Sequence, residues 1–584
     1  MYLRTVKVPS SHGSINEYVR VVEAYREHGK VKQRTVADLG RKDLLTALLP
    51  QLERLLKGLP KLDAPDTADA PVDVLDASTW GPVLVVRTLF EQLGLWELFD
   101  QHLGTAKSVP PADRAFVLIA NRLICPSSEH GLARWLETDF VCDRQGRRFV
   151  PHWHRRGRVQ VHHRQLEAWY RTLDRLLAAK ERLELGLYHR LRDLFSLQPD
   201  LVLYDVTSTY FEGGGPDSLA RHGYSRDGKP QNVQVIVGLV QVGGWPIAHH
   251  VWEGNRLDLT TVEEVIADLE SRFAFGRVIF VGDRGMVSED NFTTLSQQGH
   301  GYLVGLKRRR QPQVDDWLQA LRDDQWQECP LGINAREKKQ NPPRTRVQEV
   351  TSPTPGQRVF VIDSDERRAY EQAQREKAMA RTHKKLQSVQ RRVDQGKLVQ
   401  AEDIGAAAER ALRAHHGYRY FAWELRQGAF EFFEHPQFLE QEKRLEGKYV
   451  IATSESDLDA VSAVTQYKQL MEVERHFRHL KDVLGLRPIY HQSAQRVKAH
   501  IFVAALALLL QCLLQRRLHE HGVALSAPEA VQAVETVRQV TFRLDGQQRG
   551  GVSAPSSRAQ QVLKALDLRP LRPPTPPAGE STVL

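Results

Sequence analysis

Three acidic residues stand in segments whose other residues are typical of a protein core. Asp205 ends the strand-like run LVLYD, Asp283 ends the run VIFVGD, and Glu474 lies within the helical stretch YKQLMEVERHFRHLK. A buried carboxylate is costly unless another group pairs with it. Two strand-end carboxylates and one on a helix are the oxygen ligands that a divalent-metal site for phosphodiester chemistry needs.

Two of these acids have a simpler interpretation when each is taken alone. Asp205 could cap the turn that follows its strand. Glu474 could form an ion pair with Arg478 on a solvated helix face, which contributes only a few tenths of a kcal/mol. These interpretations weaken when the three acids are considered together.

The helical stretch at 467–481 carries its polar residues on one side. Seven residues fall only about 20° short of two helical turns, so residues at that spacing share a stripe. The polar stripe comprises Tyr467, Glu474, Arg478 and Lys481. An adjacent apolar stripe, expected to pack on a sheet, comprises Leu470, Val473, Phe477, Leu480 and Leu484.

The elements around the two aspartates predict an α/β fold. Strands and helices alternate from 200 to about 306. The stretch at 232–252 is typical of two strands joined at Gly243-Gly244, and a helix then precedes the Asp283 strand. Asp205 and Asp283 therefore come together if their strands are neighbours.

Composition is consistent with a nucleic-acid partner but does not prove one. The chain has 584 residues and a formal charge of +9, from 81 Lys+Arg against 72 Asp+Glu. At about 150 residues per domain, this length predicts roughly two to four domains. A positive excess favours polyanions, although many soluble proteins are mildly basic.

The sequence also predicts a cytoplasmic protein that does not enter a membrane. Its four cysteines are far apart and form no CxxC pair, which favours a reducing compartment. The N-terminus lacks the apolar core of a signal peptide. The apolar run at 501–514 is shorter than the roughly 20 residues of a membrane span, and it is interpreted as a buried helix.

Changes in composition and patterning divide the chain into five regions. We expect an N-terminal β-meander at 1–58, a helical, basic DNA-binding region at 75–198, a catalytic core at 199–306 and 447–520, an insertion subdomain at 307–446, and a C-terminal region at 521–584 with a disordered Pro-rich tail. A Pro-, Asp- and Ala-rich stretch at 59–76 is typical of a linker.

The polar stripe carries a family resemblance. Tyr467, Glu474 and Lys481 match the Y-(2)-R-(3)-E-(6)-K signature of DDE transposases in the insertion-sequence-four superfamily. The chain resembles bacterial insertion-sequence transposases of that group, in particular the subgroup with an N-terminal meander and a GNxxD segment, here GNRLD. The phrases YDVTSTYF, GYSRDGKP, FVGDRG and LRPIYH are also similar to that family. The signature arginine falls at Leu470, so Arg475 or Arg478 would have to substitute for it.

The resemblance implies a fold and a mechanism. It implies a ribonuclease-H-like core, a mixed sheet flanked by helices, in which Asp205, Asp283 and Glu474 bind two Mg²⁺ or Mn²⁺ ions. Hard cations of this kind prefer oxygen ligands. It further implies that Tyr467, Arg478 and Lys481 contact DNA phosphates. The implied partner is double-stranded DNA, both transposon ends and target, bound by a homodimer that assembles on DNA.

The separation of 191 residues between Asp283 and Glu474 is too long for a compact core. The resemblance explains it by the insertion at 307–446, which begins with a basic cluster at 307–310 and contains a long charged helix at 365–395. That helix is either a solvated arm or an arm that contacts DNA or a second subunit. Trp423 is either a core residue or an aromatic that stacks on a flipped base.

Other interpretations of the chain stay open. The basic region at 75–198 is expected to recognise transposon ends through a group of arginines: Arg155, Arg156, Arg158 and Arg164. A zinc site among its histidines is disfavoured because no cysteine or helical spacing accompanies them: His152, His154, His162 and His163. The protein could also be an inactive DNA-binding relative, or a metal-dependent nuclease that does not transfer strands.

Overall fold

A computed structural model shows a chain that divides into two compact units. The first contains Met1–Ala179, Val483–Gly485 and Leu506–Leu584, and the second contains Lys180–Asp482 and Leu486–Ala505. The structure describes residues 2–9, 15–27, 30–42, 73–106, 109–150, 153–155, 158–160, 163–283, 288–306, 313–330, 343–544, 546–568, 571 and 582–583.

The strands are β1 Tyr2–Pro9, β2 Ile15–Glu27, β3 Lys30–Arg41, β4 Asp73–Thr79, β5 Arg148–Phe149, β6 Trp153–Arg155, β7 Arg158–Gln160, β8 Leu201–Tyr210, β9 Gln234–Val242, β10 Trp245–Glu253, β11 Ile279–Gly282, β12 Gly301–Gly305, β13 Gln327–Glu328, β14 Thr345–Val350, β15 Arg358–Ser364, β16 Phe421–Arg426, β17 Ala429–Glu434, β18 Lys448–Thr453, β19 Arg538–Leu544, β20 Gln547–Val552 and β21 Thr582–Val583.

The helices are α1 Gly81–Gln92, α2 Leu95–Leu103, α3 Pro111–Ile124, α4 Leu132–Thr138, α5 His163–Ala178, α6 Lys180–Phe195, α7 Val262–Phe273, α8 Glu289–Gln297, α9 Val314–Gln319, α10 Asp365–Asp394, α11 Ala401–Arg413, α12 Pro436–Leu445, α13 Ala460–Lys468, α14 Leu470–Arg478, α15 Ala494–Glu520, α16 Ala527–Ala533 and α17 Ser557–Ala565.

Among its described residues, the first unit contains two three-stranded antiparallel sheets. Strands β1, β2 and β3 pair in that order, as the alternation of apolar and polar residues predicts. A second sheet has the order β20-β19-β4. Most of the linker predicted at 59–76 lies outside the described residues. Its last residues were assigned wrongly, because 73–76 belong to β4 and pair with β19.

Helices α1, α2 and α3 of the first unit pack around an aromatic cluster. The rings of Phe90 and Phe116 are perpendicular at 5.1 Å, and the ring of Trp96 lies 5.2 Å from that of Phe116. Two of the four arginines predicted to contact DNA, Arg155 and Arg158, lie in the short strands β6 and β7, while Arg156 falls outside the described residues. Of the four histidines of the disfavoured zinc site, His152 and His162 also fall outside them.

The second unit is built on a nine-stranded sheet with the order β10-β9-β8-β11-β12-β18-β15-β14-β13. The hairpin predicted at 232–252 is confirmed as β9 and β10 and pairs antiparallel with β8. Strands β11 and β12 run parallel to β8. Every residue of β9 is buried, as expected for a strand covered on both faces. The mixed α/β sheet is consistent with the ribonuclease-H-like core that the resemblance implies.

The region predicted as an insertion, 307–446, adds strands to this same sheet. Strand β15 pairs with β18, and β14 and β13 extend the sheet outward. The basic cluster at 307–310 lies outside the described residues.

The rest of that region has an apolar core of its own. Helices α10 and α11 and the β16–β17 hairpin contribute its buried residues, which include Leu386, Ile404 and Phe430. Trp423 packs against this cluster, and its indole Nε1 donates a hydrogen bond to Glu409 at 3.3 Å. Trp423 is half-buried, and its packing against this cluster favours the first of its two interpretations, a core residue.

Helix α15 contains the apolar run at 501–514. The helix is long and apolar enough to cross a membrane, but 83% of its most apolar window is buried inside the protein. The interpretation as a buried helix is confirmed.

Candidate active site

The parallel pairing of β8 and β11 aligns two of the three acids. Phe280 pairs with Val202 and Val281 with Leu203. Continuing this register by two residues brings Asp283, directly after β11, level with Asp205. The two carboxylates therefore occupy neighbouring strands at the same height, as the sequence analysis expected.

One detail of that expectation was wrong: Asp205 does not end its strand. Strand β8 continues to Tyr210 because the β-branched residues after Asp205 stay paired with β9, as in the pair Thr207 with Val237. Asp205 is thus held by strand backbone on both sides, and its Oδ1 accepts a hydrogen bond from the Val206 N–H at 2.8 Å.

Helix α14 carries the third acid and packs against β8. Three of its apolar residues, Leu470, Val473 and Phe477, are buried as predicted. His476, two residues after Glu474, forms a buried 2.7 Å hydrogen bond with Gln241, which is the β9 partner of Leu203. Burial lowers the pKa of His476 to about 3, so this anchor is uncharged at neutral pH. Glu474 is consequently fixed on the Asp205 side of the sheet.

The pKa values of the acids show that they act on one another. Burial and the negative charge of Asp283 raise the pKa of Asp205 well above its usual range, and Glu474 adds to the effect. Burial and Asp283 also raise the pKa of Glu474, while Arg478 opposes this. Mutual repulsion of carboxylates is the expected signature of a site that a cation would stabilise.

The predicted polar stripe is only partly formed, because the stretch at 467–481 is not one continuous helix. Helix α13 ends at Lys468, α14 begins at Leu470, and a π-helical turn spans His479–Val483. A π turn takes more residues than an α turn. Lys481 is therefore rotated away from the position that regular helical spacing gives it.

Lys481 contacts an acid that the sequence analysis did not select. Its Nζ lies 2.7 Å from Oδ1 of Asp227, and Arg487 binds the same oxygen at 2.5 Å. The side chain of Asp227 is only 3% exposed. Burial lowers the pKa of Lys481, and Asp227 opposes that effect.

The neighbouring Arg226 faces the acidic site. It pairs with Asp258 at 2.5 Å, and its backbone N–H donates to Ser208 Oγ at 3.1 Å. Its charge offsets part of the rise in the pKa of Asp205. Sequence reasoning assigned Arg226, Asp227 and Asp258 no role at this site. The signal was present, because they lie in the phrases GYSRDGKP and GNRLD that resemble the family.

A cavity of about 670 Å³ opens beside two of the acids. Asp283, Glu474 and Tyr467 line this cavity, whereas Arg478 and Lys481 are not among its lining residues. Tyr467 fits closely over the last residue of β12: a Cβ on Gly305 would lie 2.2 Å from the tyrosine Oη.

The lining of the cavity also includes cationic and aromatic side chains. Arg367, on α10, lies over the ring of Tyr449 at 5.0 Å and pairs with Glu371 at 3.1 Å. Lys468 donates to Thr345 Oγ1 at 3.2 Å. The cavity thus places both charge and ring surface next to the carboxylates, and the sequence analysis had selected neither Arg367 nor Tyr449.

Comparison with known proteins agrees with this geometry. The family described as the transposase DDE domain matches residues 197–510, which is more than half of the chain. The chain belongs to this family. It is therefore a DDE transposase, a polynucleotidyl transferase and endonuclease, and DDE transposase domains generally depend on divalent metal ions.

Other similarities of the transposase are weaker or more local. The N-terminal domain of IS1634 family transposases matches residues 3–69. The piggyBac transposase synaptic complex with hairpin DNA is 9% identical over 78% of this chain and 79% of that chain, with a TM-score of 0.34. The Mos1 transposase paired-end complex with left transposon end is 12% identical over 44% of this chain and 66% of that chain, with a TM-score of 0.14. No curated protein matches the transposase.

Proposed function

We propose that this transposase binds the inverted-repeat ends of its own insertion sequence, cleaves them and transfers the strands to target DNA. Asp205, Asp283 and Glu474 would hold two divalent cations, Mg²⁺ or Mn²⁺, for both reactions. The observation that carries the proposal is the alignment of Asp283 with Asp205 across paired strands, with Glu474 on the helix packed against them. We further propose that the protein belongs to the insertion-sequence-four superfamily, which the spacing of Tyr467, Glu474 and Lys481 supports.

The residues present fit such cations. All three side chains offer carboxylate oxygens, and the raised pKa values of Asp205 and Glu474 show negative charge that lacks full compensation. When bound, divalent ions activate the attacking water or 3′-hydroxyl and stabilise the leaving oxygen.

The protein's own cations would hold the DNA backbone near these acids. Arg478 is exposed one helical turn after Glu474, and its charge acts on that carboxylate. Arg475 instead pairs with Glu472 at 3.1 Å. Arg478 is therefore the better substitute for the signature arginine that is absent at Leu470. Lys481 can bind a phosphate only if its ammonium group contacts Asp227 and the phosphate together or if its ion pair with Asp227 breaks.

The cavity would receive the DNA strand adjoining the scissile phosphate. Tyr467 offers a hydroxyl and Lys468 an ammonium group at its wall. Because Asp283 and Glu474 line the same cavity, a DNA strand lying there would pass the carboxylates.

We further propose that two subunits assemble on paired ends and that the protein acts in the bacterial cytoplasm.

Cleavage and joining assays with purified protein test this function. With Mg²⁺ or Mn²⁺, the protein should nick DNA that carries the element's inverted repeats and join the 3′ ends to a target plasmid. Asp205→Asn and Glu474→Gln should reduce both products to background. Matched controls are Asp290→Asn, an exposed acid in the first turn of α8, and Glu472→Gln on α14; both should stay active.

The outcomes separate the alternatives. Full activity of Asp205→Asn or Glu474→Gln would show that the substituted acid is not part of the catalytic site. Nicked DNA without joined product would identify a nuclease that does not transfer strands. Binding of the repeats without any cleavage by the unmodified protein would identify an inactive relative.

A further inference from the structure

Apart from Lys377, the cations of the long helix α10 fall into two groups. In its first half, Arg367 pairs with Glu371, Arg368 with Asp363, and Arg375 with Glu446. In its second half, a group of exposed cations forms no ion pair within the described residues: Arg381, Lys384, Lys385, Arg391 and Arg392. We call this group the α10 basic face. Among the described residues, the positive charge at this end of the helix is therefore not balanced by ion pairs.

Helical spacing places the basic face on one side of α10. Lys384 and Lys385 follow Arg381 by three and four residues, and Arg391 and Arg392 follow those lysines by seven. At 1.5 Å per residue the face extends over about 16 Å. Duplex DNA carries one phosphate charge per about 1.7 Å of its axis, so a face of this length can meet several phosphates.

The opposite side of α10 is anchored in the apolar core described above. Thr382, Leu386 and Val389 are buried there. The turn at Gly417 lies directly on the helix, since a Cβ on that glycine would be 2.3 Å from Thr382 Cγ2. The packing on the other side of α10 consequently holds the basic face in a fixed position.

The same turn brings further polar groups beside the face. Tyr418 is 47% exposed, with Arg419 over its ring at 5.7 Å. Partial desolvation together with Lys385, Arg381 and His416 lowers the pKa of His415. This repulsion is a second indication that positive charge is concentrated here.

We propose that the α10 basic face is a docking surface for the phosphate backbone of duplex DNA. The proposal rests on the proposed function, which supplies the DNA, and adds a contact outside the acidic site. Lysine and arginine contacts to phosphate carry no sequence information. The face would therefore bind flanking or target DNA independently of sequence.

Salt-dependent binding to a random-sequence duplex tests the surface. Affinity should be measured in EDTA, so that no cleavage occurs, over a range of NaCl concentrations. Each lost phosphate contact lowers the slope of log K against log salt by about 0.9. The variant Arg381→Gln/Lys384→Gln/Lys385→Gln should therefore lose about 2 to 3 units of slope and bind at least about tenfold more weakly at low salt.

A matched control removes the same charge from cations that already have acidic neighbours. Arg344 lies near Asp365, Arg426 near Glu424 and Arg444 near Glu440. The triple variant Arg344→Gln/Arg426→Gln/Arg444→Gln should keep nearly the slope of the unmodified protein. Thermal unfolding should be unchanged in both triple variants, since all six side chains are at the surface.

An unchanged slope in the basic-face variant would overturn the docking surface and leave the proposed function intact. An equal loss of slope in both variants would also overturn it, because net charge and not position would then decide binding. Failure of the unmodified protein to cleave its repeats would instead contradict the proposed function.

Discussion

Asp227 and Lys481 form an ion pair at 2.7 Å although 254 residues separate them in the chain. Their side chains are only 3% and 9% exposed. Arg487 shares the same Asp227 oxygen. Lys481, which the sequence analysis placed on the polar stripe with Glu474, is thus held by the loop between β8 and β9, which also carries Arg226 to the acidic site.

Asp227→Asn should destabilise the protein by about 3 to 5 kcal/mol, since it leaves a buried lysine without its counter-charge. Urea unfolding at pH 7 measures the change. Asp482→Asn is the matched control: Asp482 also pairs with Arg487 but is 53% exposed, so its loss should cost no more than about 1 kcal/mol. Adding Lys481→Met to Asp227→Asn should restore part of the stability. No recovery in the double variant would show that the pair does not account for the loss.

Asp205→Asn should stabilise the metal-free protein by a few degrees in thermal unfolding, because it removes one carboxylate from a group whose charges repel. The folded pKa of Asp205 is raised, so its contribution to stability is present at acidic pH and is lost as the pH rises through that pKa. Mn²⁺ should stabilise the unmodified protein more than the variant. Equal stabilisation of both by Mn²⁺ would place the ion elsewhere.

Arg478→Gln should reduce cleavage of the transposon ends by about tenfold or more, as expected for loss of a charge-assisted phosphate contact. Arg475→Gln should have little effect, because Arg475 is already paired with Glu472. Single-turnover cleavage rates compare the two variants. A larger defect in Arg475→Gln would reverse the assignment of the substitute arginine.

Gly305→Ala should displace Tyr467 from the cavity wall, because the new Cβ would lie 2.2 Å from its Oη. We expect a loss of stability of about 1 to 3 kcal/mol, typical of overpacking. Tyr467→Phe removes the clashing atom and leaves Cζ at 3.1 Å, so the double variant should lose less than the single variants together. Gly276→Ala, where a Cβ would meet nothing within 4 Å, is the control. If the stability losses of Gly305→Ala and Tyr467→Phe add up to the loss of the double variant, the two residues do not contact each other.

His249 should make the protein sensitive to mild acid. Burial, assisted by Lys180, lowers its pKa from 6.5 to about 4, and its Nδ1 lies 2.8 Å from Glu184 Oε1. Burial opposes ionisation of Glu184, but Lys180, His249 and Arg272 outweigh it and hold its pKa well below the usual range. Nδ1 of the neutral imidazole is therefore protonated, and its N–H donates a hydrogen bond to the Glu184 carboxylate.

Between about pH 6.5 and 4 the unfolded chain binds a proton that the folded His249 does not, so stability should fall as the pH is lowered. A shift of this size corresponds to roughly 2 to 3 kcal/mol at pH 4.5. His249→Asn keeps a donor for Glu184 and should reduce this pH dependence, whereas His222→Asn, at an exposed histidine, should not. Parallel curves for the unmodified protein and His249→Asn from pH 7 to 4.5 would contradict the assignment.

Local patterns predicted the elements that carry the three acids, because each acid lies in a segment of clear periodicity. The apolar runs before Asp205 and Asp283 form neighbouring strands, and the apolar residues of 470–484 are buried as their spacing indicates. Local patterns could not predict the pairing register between neighbouring strands. Asp205 lies within a strand and not at its end, since pairing with β9 extends β8 beyond the point at which the side-chain types suggest a turn.

Long-range contacts explain the remaining differences. The π turn at His479–Val483 interrupts the spacing on which the Lys481 prediction depended. Its partner, Asp227, is remote in sequence, and nothing in the composition near Lys481 indicates it. Likewise, the roles of Arg367 and Tyr449 at the cavity follow from the addition of β15 and β18 to the main sheet.

The position of β18 between β12 and β15 limits how the protein can be shortened. Removing 307–446 would delete β15 and leave one side of β18 with unpaired N–H and C=O groups. An exposed strand edge of this kind is a template for aggregation. Trimming the chain between the middle of α10 and β17 would instead leave the nine-stranded sheet complete, so a minimal soluble enzyme should be sought there.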